Sequence, residues 1–236
     1  MTLLKDIRLY TTQPHACSYL PGQRARTLFI DPEFPVDKAH NSRLSELGFR
    51  RSGAHVYRPN CGSCQQCMSC RVVVRLFQPN RRFQRILRRN EDIDVRPVED
   101  ISGDEYYLLY SHYINVRHGD GDMYPPSREQ YQSFLLRGCE GTAYYELRVG
   151  ERLLGVMVVD HLENGLSAVY TFYDPLEEKR SLGSFAILWQ LQEAARLELP
   201  YLYLGYWIRD SRKMRYKIDY RPLELLVNQR WVRLVD

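Results

Sequence analysis

The sequence predicts an α+β fold built around a mixed β-sheet. The spacing of apolar residues is helical over residues 104–138 and strand-like over residues 142–174. Residues 181–199 have the clearest helical pattern, and an apolar aromatic run, residues 201–208, follows them. The C-terminal half therefore has the order helix, helix, three antiparallel strands, helix, strand, which is typical of the α+β class.

The 236-residue chain is long enough for one large domain or two small ones. We divide it into an N-terminal cysteine-containing region, residues 1–76, and a C-terminal region, residues 77–236. The first region is rich in proline, cysteine and short apolar runs, which indicates a loop-heavy layer with a few strands. No stretch approaches about 18 uncharged apolar residues, and the N-terminus lacks the apolar core of a signal peptide. We therefore expect no membrane association and a cytoplasmic location.

Two elements link these regions. Residues 70–76, CRVVVRL, are β-branched and weakly alternating, which predicts a strand. Residues 80–90, NRRFQRILRRN, place Phe83, Ile86 and Leu87 on one face and arginines around the rest. This pattern predicts a short amphipathic helix that presents positive charge.

The C-terminal half carries recognisable start and stop signals. Ser127 is placed to cap a helix that Gly138 ends, and Ser181 is placed to cap the later helix. The three strand-like runs between these helices are residues 142–150, 151–162 and 166–174. This order matches the core of the Gcn5-related acyltransferase (GNAT-like) fold.

The segment RSLGSFA, residues 180–186, lies at a strand-to-helix junction. A glycine there lets backbone N–H groups approach an anion, and Arg180 adds a positive charge. Enzymes of the GNAT-like fold hold the pyrophosphate of coenzyme A at this point with a longer glycine-rich motif. A plainly capped helix is the alternative here, and a nucleic-acid backbone would fit the same groups.

Positive charge is concentrated rather than spread. Between Arg71 and Asn90 the chain has seven arginines and no acid, although the net charge is only +4. Such a block is a candidate phosphate-contact surface, a solvated helix face being the alternative. Residues 204–222 interleave aromatic rings with cations, as single-stranded nucleic-acid sites do. The alternative for that segment is an aromatic core edge beside a basic loop.

Four of the six cysteines, Cys61, Cys64, Cys67 and Cys70, are each three residues apart. In a reducing compartment such a run indicates a metal site or reactive thiols rather than disulfides.

Several segments together resemble a known family. They are CSYLP (17–21), GFRRSGAHVYRPNC (48–61), YTFYDP (170–175), SLGS (181–184), YLYLGYWI (201–208) and KMRYKIDYRP (213–222). These strings closely resemble the aminoacyl-tRNA–protein transferases, in the right order over nearly the whole chain. RHGDGDMYPP (117–126) is similar to the bacterial aspartate/glutamate leucyltransferase branch.

The resemblance implies a duplicated or elaborated GNAT-like fold that uses no coenzyme A. It implies transfer of leucine from leucyl-tRNA to the N-terminal α-amine of proteins that begin with Asp or Glu, which creates an N-end rule degradation signal. The donor is an activated ester, so transfer requires no cofactor. The alternatives are an arginyl-tRNA donor, an inactive tRNA-binding module, and a coenzyme A-dependent N-acetyltransferase. The sequence does not indicate an oligomeric state.

Site residues follow from chemistry and from the resembling motifs. For proton handling we predict Tyr173, Asp174 and Tyr206, with a turn as the alternative role of Asp174. For the acceptor carboxylate we predict Arg50, Arg51, Arg117 and His118, with local ion pairs as the alternative. For tRNA we predict Arg81, Arg82, Arg85, Arg88, Arg89, Arg180, Arg215 and Lys217. By resemblance, Cys17, Cys61, Cys64 and Cys67 would hold zinc or an iron–sulfur cluster, with reduced thiols as the alternative.

Overall fold

A small antiparallel sheet forms the first part of the computed structural model, which describes residues 7–234. In chain order its region contains β1 (Leu9–Thr11), β2 (His15–Ala16), β3 (Arg24–Ala25), β4 (Thr27–Ile30), α1 (Lys38–Glu46), β5 (Arg50–Ser52) and β6 (His55–Pro59). The sheet has the order β1-β4-β6-β5, and β2 and β3 form a separate hairpin.

A large mixed sheet forms the rest. Its elements are β7 (Met68–Val73), α2 (Arg81–Arg89), β8 (Asp94–Val98), α3 (Asp104–Arg117), α4 (Arg128–Tyr131), β9 (Thr142–Val149), β10 (Arg152–His161), β11 (Gly165–Tyr173), α5 (Leu182–Arg196), β12 (Tyr201–Trp207), β13 (Leu223–Val227) and β14 (Arg230–Arg233). The strand order is β14-β13-β7-β12-β11-β10-β9-β8. Only β11 and β12 pair in parallel among the described strands, so the predicted α+β class with a mixed sheet is confirmed.

The two faces of the large sheet are covered by different helices. Phe83 of α2 and Leu188 of α5 pack in one apolar cluster, together with Val72 and Met157. Tyr110 of α3 and Tyr131 of α4 pack in a second cluster on the opposite face. Successive strand residues alternate between these clusters, because side chains of a strand point alternately to its two faces. No helix within residues 7–234 has the length and apolar run that crossing a membrane requires.

One predicted helix cap is confirmed and another is wrong. The Ser127 hydroxyl accepts a hydrogen bond from the Gln130 N–H and caps α4 as predicted, but the helix continues only as a π-turn, Gln132–Leu136. Ser181 occupies the cap position of α5 without a side-chain cap bond. Its φ of 55° is left-handed, so its side chain does not take the capping orientation.

The parallel strands β11 and β12 separate soon after they pair. Their pairing covers only Gly165–Ser167 of β11 and Tyr201–Tyr203 of β12. Just beyond it, the register of β11 shifts at Val169 and that of β12 shifts at Leu204. Irregularities of this kind bend a strand and increase its local twist. We call the stretch beyond Ser167 and Tyr203, where β11 and β12 do not pair with each other, the gap.

The small sheet is tied to the large one beside this gap. The Tyr206 hydroxyl of β12 lies 3.1 Å from the Gly48 carbonyl and 3.2 Å from that of Tyr57. The Ser69 hydroxyl of β7 also donates to Gly48, and the Trp231 indole donates to the Glu46 carbonyl. These bonds fix the position of β5, and hence of Arg50, against the gap.

Candidate active site

Arg50 fills the gap between β11 and β12. Its Nη2 donates to the Ala168 carbonyl of β11 at 2.8 Å. Its guanidinium lies against the backbone of Gly205 on β12, where a Cβ atom would be 2.6 Å from Arg50 Cζ. Gly205 has a φ of 77°, a left-handed conformation that favours glycine, and a side chain there would displace the Arg50 guanidinium. Arg50 Nη1 is buried and has no hydrogen-bond partner within residues 7–234, which leaves this nitrogen available to donate to a ligand.

Lys217 lies at the base of the same region. It is only 7% exposed, and its Nζ donates to the Tyr206 carbonyl at 2.7 Å and contacts Met214 Sδ at 3.2 Å. Burial lowers the pKa of the Lys217 ammonium to about 8, and the positive charge of Arg50 contributes to this decrease. The tRNA contact predicted for Lys217 would require a surface position, which this geometry does not provide.

Two neutral tyrosine side chains, Tyr57 and Tyr206, interact with Arg50. Burial raises the pKa of Tyr206 well above 10 and raises that of Tyr57 as well. The Tyr206 hydroxyl already lies within hydrogen-bond distance of two backbone carbonyls. Its placement favours a role in holding the two sheets together over the proton handling that the sequence suggested.

A second group of side chains lies at the end of β11. The Tyr113 and Tyr173 rings are 4.8 Å apart, and His118 Nε2 lies 3.3 Å from the Tyr113 hydroxyl. Arg117 hydrogen-bonds Tyr173, which raises the pKa of the guanidinium. Burial, helped by the charges of Lys213 and Arg117, lowers the pKa of His118 below 6.5, so the imidazole is neutral at pH 7.

Tyr216 connects the two groups. It interacts electrostatically with one member of each group, Arg50 and Tyr173. The structure therefore brings five of the predicted site residues into one neighbourhood: Arg50, Arg117, His118, Tyr173 and Tyr206. It also places Lys217 there.

Two predicted site residues, Arg51 and Asp174, have their hydrogen-bond partners elsewhere in the structure. Arg51 forms a buried ion pair with Asp160, with nitrogen–oxygen distances of 2.7 and 2.8 Å, and its remaining donor faces backbone carbonyls. This arrangement favours a structural role for Arg51. The Asp174 carboxylate accepts from Arg152 and from the Leu176 N–H, which is the turn arrangement considered as its alternative.

Five of the arginines predicted to bind tRNA lie on one helix, α2. Arg81, Arg82, Arg85, Arg88 and Arg89 all belong to α2 and are exposed. Helix α2 contacts the segment after β12 through Arg82–Asp219, at 2.8 Å, and through stacked Phe83 and Tyr220 rings. It contacts the start of α5 through Asn90, whose amide donates to the Arg180 carbonyl. Arg180 itself is held by Asp92 and Glu177.

Four of the cysteines line a cavity of about 630 Å³. Cys17, Cys61, Cys64 and Cys67 all line it, together with Tyr206. Burial, with the neighbouring cysteines, raises the pKa of Cys67 to about 12, so its thiol is protonated. Within residues 7–234, no three His, Cys, Asp or Glu side chains are close enough to hold a metal ion. As arranged, the cysteines do not fit the zinc or iron–sulfur site that the resemblance implied, and no catalytic step is drawn through one.

Sequence reasoning missed three participants, Tyr57, Tyr113 and Tyr216. Tyr113 and Tyr216 lie within longer aromatic or basic runs, where a core role and a site role look alike, and Tyr57 is a single tyrosine in β6. Lys217 was misplaced for a related reason, because it is one cation among several in residues 209–221. The sequence did contain one sign that Lys217 is buried. Its immediate neighbours, Tyr216 and Ile218, are apolar, although the segment around them is basic.

Comparison with known proteins identifies the family. The N-terminal model of the arginine-tRNA-protein transferases matches residues 15–85, and the C-terminal model matches residues 105–227. The aspartate/glutamate leucyltransferases of Pseudomonas fluorescens (strain Pf0-1) and Stutzerimonas stutzeri (strain A1501) are 56% and 58% identical to this chain. Each similarity covers 99% of this chain and 100% of the relative.

A solved structure, the L-PGS of Bacillus licheniformis, has a weaker likeness. It covers 61% of this chain and 46% of that chain, with 12% identity and a TM-score of 0.46, too low to carry an argument. The family models and the full-length relatives agree with the motifs described above. The chain therefore belongs to the arginine-tRNA-protein transferase family and groups within it with the bacterial aspartate/glutamate leucyltransferases.

Proposed function

We propose that this protein is an aminoacyltransferase that moves leucine from leucyl-tRNA to the N-terminal α-amine of proteins beginning with Asp or Glu. The observation that carries the proposal is the 56–58% identity, over full length, to relatives named for that reaction. The product would bear an N-terminal leucine and become a substrate of the N-end rule degradation pathway in the cytoplasm.

The chemistry needs positioning more than it needs a cofactor. The leucyl ester is already activated by its linkage to ribose, and the acceptor α-amine has an ordinary pKa of about 7.7–8.0. Holding an amine and an ester in an attack geometry can remove several kcal/mol of the barrier. Neither coenzyme A nor a metal takes part in the reaction as we propose it.

Arg50 is the proposed anchor of the acceptor. Its free Nη1 donor lies in the gap between β11 and β12, within a buried setting where a charge-assisted hydrogen bond to a carboxylate is strong. Arg117 and the neutral His118 belong to the group at the end of β11, whose Tyr173 interacts with Tyr216 as Arg50 does, and they would contact the acceptor backbone or the ester. Tyr173 would orient Arg117.

The exposed arginines of α2, with Arg180 and Arg215, are the proposed tRNA surface. This proposal is supported by the contacts of α2 with Asp219 and Tyr220, which belong to the segment that carries Tyr216 and Lys217. A tRNA held there by its phosphates would direct its aminoacylated end towards Arg50. The separated parallel strands, β11 and β12, support the finer proposal of a GNAT-like catalytic region over residues 77–236, with residues 1–76 as an added acceptor-side region.

An arginyl-tRNA donor is the second candidate. The observation that favours it is the description of the matching family models, arginine-tRNA-protein transferase. The full-length relatives favour leucine, since both carry the leucyltransferase name.

A direct test incubates leucyl-tRNA with a folded carrier protein whose N-terminus is Asp, Glu or Ala. Intact-mass spectrometry should detect one added leucyl residue on the Asp and Glu carriers, and much less on the Ala carrier. No addition to any carrier with any charged tRNA would reject the proposal. Salt-sensitive tRNA binding without transfer would instead indicate an inactive binding module.

A further inference from the structure

We propose that Lys217 is the catalytic base of this transfer, accepting a proton from the attacking amine and returning it to the leaving ribose oxygen. The inference rests on the proposed function and deepens it. It replaces the tRNA contact that the sequence suggested for this lysine.

The placement of Lys217 is that of a site residue. It lies in a short 3-10 helix, Arg215–Asp219, directly after the exposed basic loop that follows β12. Its side chain turns inwards, and Nζ reaches the Tyr206 carbonyl on β12, one residue beyond the Gly205 backbone that Arg50 covers. The Lys217 amine and the Arg50 guanidinium therefore lie against consecutive residues of β12.

The hydrogen bonds of Lys217 suit a neutral amine. A neutral lysine amine has two N–H donors and one lone pair. The Tyr206 carbonyl and Met214 Sδ accept the two donors. The lone pair is then free for a proton.

The charged and titratable groups facing Lys217 do not pair with it. They are Arg50 on β5, the thiols of Cys67 and Cys70, just before and on β7, and Tyr216, whose ring centroid lies 6.0 Å from Lys217 Nζ and whose pKa burial raises, so that it is a neutral phenol. Burial raises the pKa of Cys67 to about 12 and that of Cys70 to about 11, so both thiols are protonated and carry no charge. Tyr206, which Lys217 bonds through its carbonyl, is also a neutral phenol. Of the groups that face Lys217, Arg50 therefore carries the charge, and it is a cation like the lysine itself.

A buried lysine in these surroundings is a poor ion-pair partner and a suitable base. No carboxylate forms an ion pair with Lys217 among the residues that the structure describes. Its pKa of about 8 leaves a substantial neutral fraction at cytosolic pH. Enzymes that use lysine as a general base tune it to this range by burial.

The proposed step balances in protons and electrons. The neutral α-amine attacks the ester carbon, and as the carbon–nitrogen bond forms, one N–H proton passes to the Lys217 lone pair. When the carbon–oxygen bond to ribose breaks, the Lys217 ammonium returns that proton to the departing oxygen. The products are an amide, a free ribose hydroxyl and neutral Lys217.

The pH dependence of kcat/KM for the acceptor tests this step at saturating leucyl-tRNA. Two groups must be deprotonated, the acceptor amine and Lys217, and both titrate near pH 8. The logarithm of kcat/KM should therefore rise by about two per pH unit between about pH 6.5 and 7.2. Burial lowers the pKa of His118 below 6.5, so its imidazole is mostly neutral in this window.

Two variants separate the base from other roles. Lys217→Met is an apolar replacement, and Lys217→Arg keeps the charge but cannot accept a proton. We expect both to lower kcat/KM by about 10²-fold or more and to reduce the slope to about one. Affinity for leucyl-tRNA and the midpoint of thermal unfolding should remain close to wild type. Lys38→Met, on α1, is the matched control and should retain the wild-type rate and slope.

Several results would overturn the proposal. The first is a slope of log kcat/KM against pH of about one in the wild-type protein. The second is a slope of about two that persists in either variant. The third is a wild-type rate in Lys217→Arg, which would indicate that the lysine contacts a phosphate. If the variants lose the fold, the wild-type slope decides. Failure of the wild-type protein to transfer any residue would reject the proposed function instead, so the two failures are distinguishable.

Discussion

Arg51 and Asp160 form a buried, two-point ion pair that joins the small sheet to the large one. Arg51 Nε and Nη2 donate to the two oxygens of Asp160 at 2.8 and 2.7 Å, and both side chains are almost fully buried. Thr142 and Asn41 also donate to the Asp160 carboxylate, so its acceptor sites are occupied.

Breaking this pair should destabilise the protein strongly. Asp160→Asn leaves the Arg51 charge buried without its partner, which costs about 3–5 kcal/mol in the free energy of unfolding. Urea unfolding measures the change. The exposed Arg43–Glu46 pair is the control, and Arg43→Gln there should change stability by less than about 1 kcal/mol. A decrease below about 1 kcal/mol for Asp160→Asn would contradict the structural role given to Arg51.

Arg50 should determine affinity for the acidic acceptor. Arg50→Met removes the free Nη1 donor, and truncating one partner of a buried charge pair costs about 2 kcal/mol or more, roughly 30-fold in KM. Steady-state kinetics with an Asp-initiated peptide measures it. Arg58→Met is the matched control, an arginine of the neighbouring strand β6 whose contacts are the Leu47 carbonyl and the Phe49 ring. If Arg50→Met leaves KM unchanged, Arg50 does not bind the acceptor.

The basic face of α2 should control tRNA affinity and its salt dependence. Replacing Arg81, Arg85 and Arg88 by alanine removes up to three cations that can face phosphates, while the buried face, Phe83 and Ile86, is kept. Affinity for leucyl-tRNA should fall, and the slope of log K against log salt should become less negative by about one for each phosphate interaction removed. The control triple variant replaces Arg96, Arg128 and Arg196, which are exposed but ion-paired. Equal effects of both triple variants would show that only net charge matters.

Cys70 should resist alkylation in the folded protein. Its side chain is 1% exposed, and burial raises its pKa to about 11, so at pH 8 it is a thiol rather than the reactive thiolate. Peptide mass spectrometry after iodoacetamide treatment should find Cys70 unmodified in native protein and modified in urea. Rapid native modification of Cys70 would place it at the surface and contradict the position of β7 inside the sheet.

The parts of the fold with strong periodicity were predictable. The apolar faces of α2, α3 and α5 and the runs that became β9, β10, β11 and β12 follow directly from spacing. The edge strands β8 and β14 were missed because they are exposed and charged. In addition, β8 contains Pro97, and proline is unsuited to a strand interior. Their sequences resemble loops for that reason.

The site was only partly predictable because its geometry depends on long-range pairing. Arg50 and Arg51 are adjacent in sequence, yet alternation along β5 points one at the gap and the other at Asp160. The register shifts at Val169 and Leu204, which open the gap, leave no clear mark in the sequence. The inward turn of Lys217 likewise depends on where β12 ends.

Transfer of a labelled amino acid in a matrix of donors and acceptors tests the proposed reaction most directly. Leucyl-tRNA and arginyl-tRNA are each offered with peptides that begin with Asp, Glu, Lys, Arg or Ala. We predict labelled leucine on the Asp and Glu peptides at rates far above every other combination. Arginine transfer exceeding leucine transfer, or leucine transfer that does not distinguish Asp from Ala, would contradict this reaction.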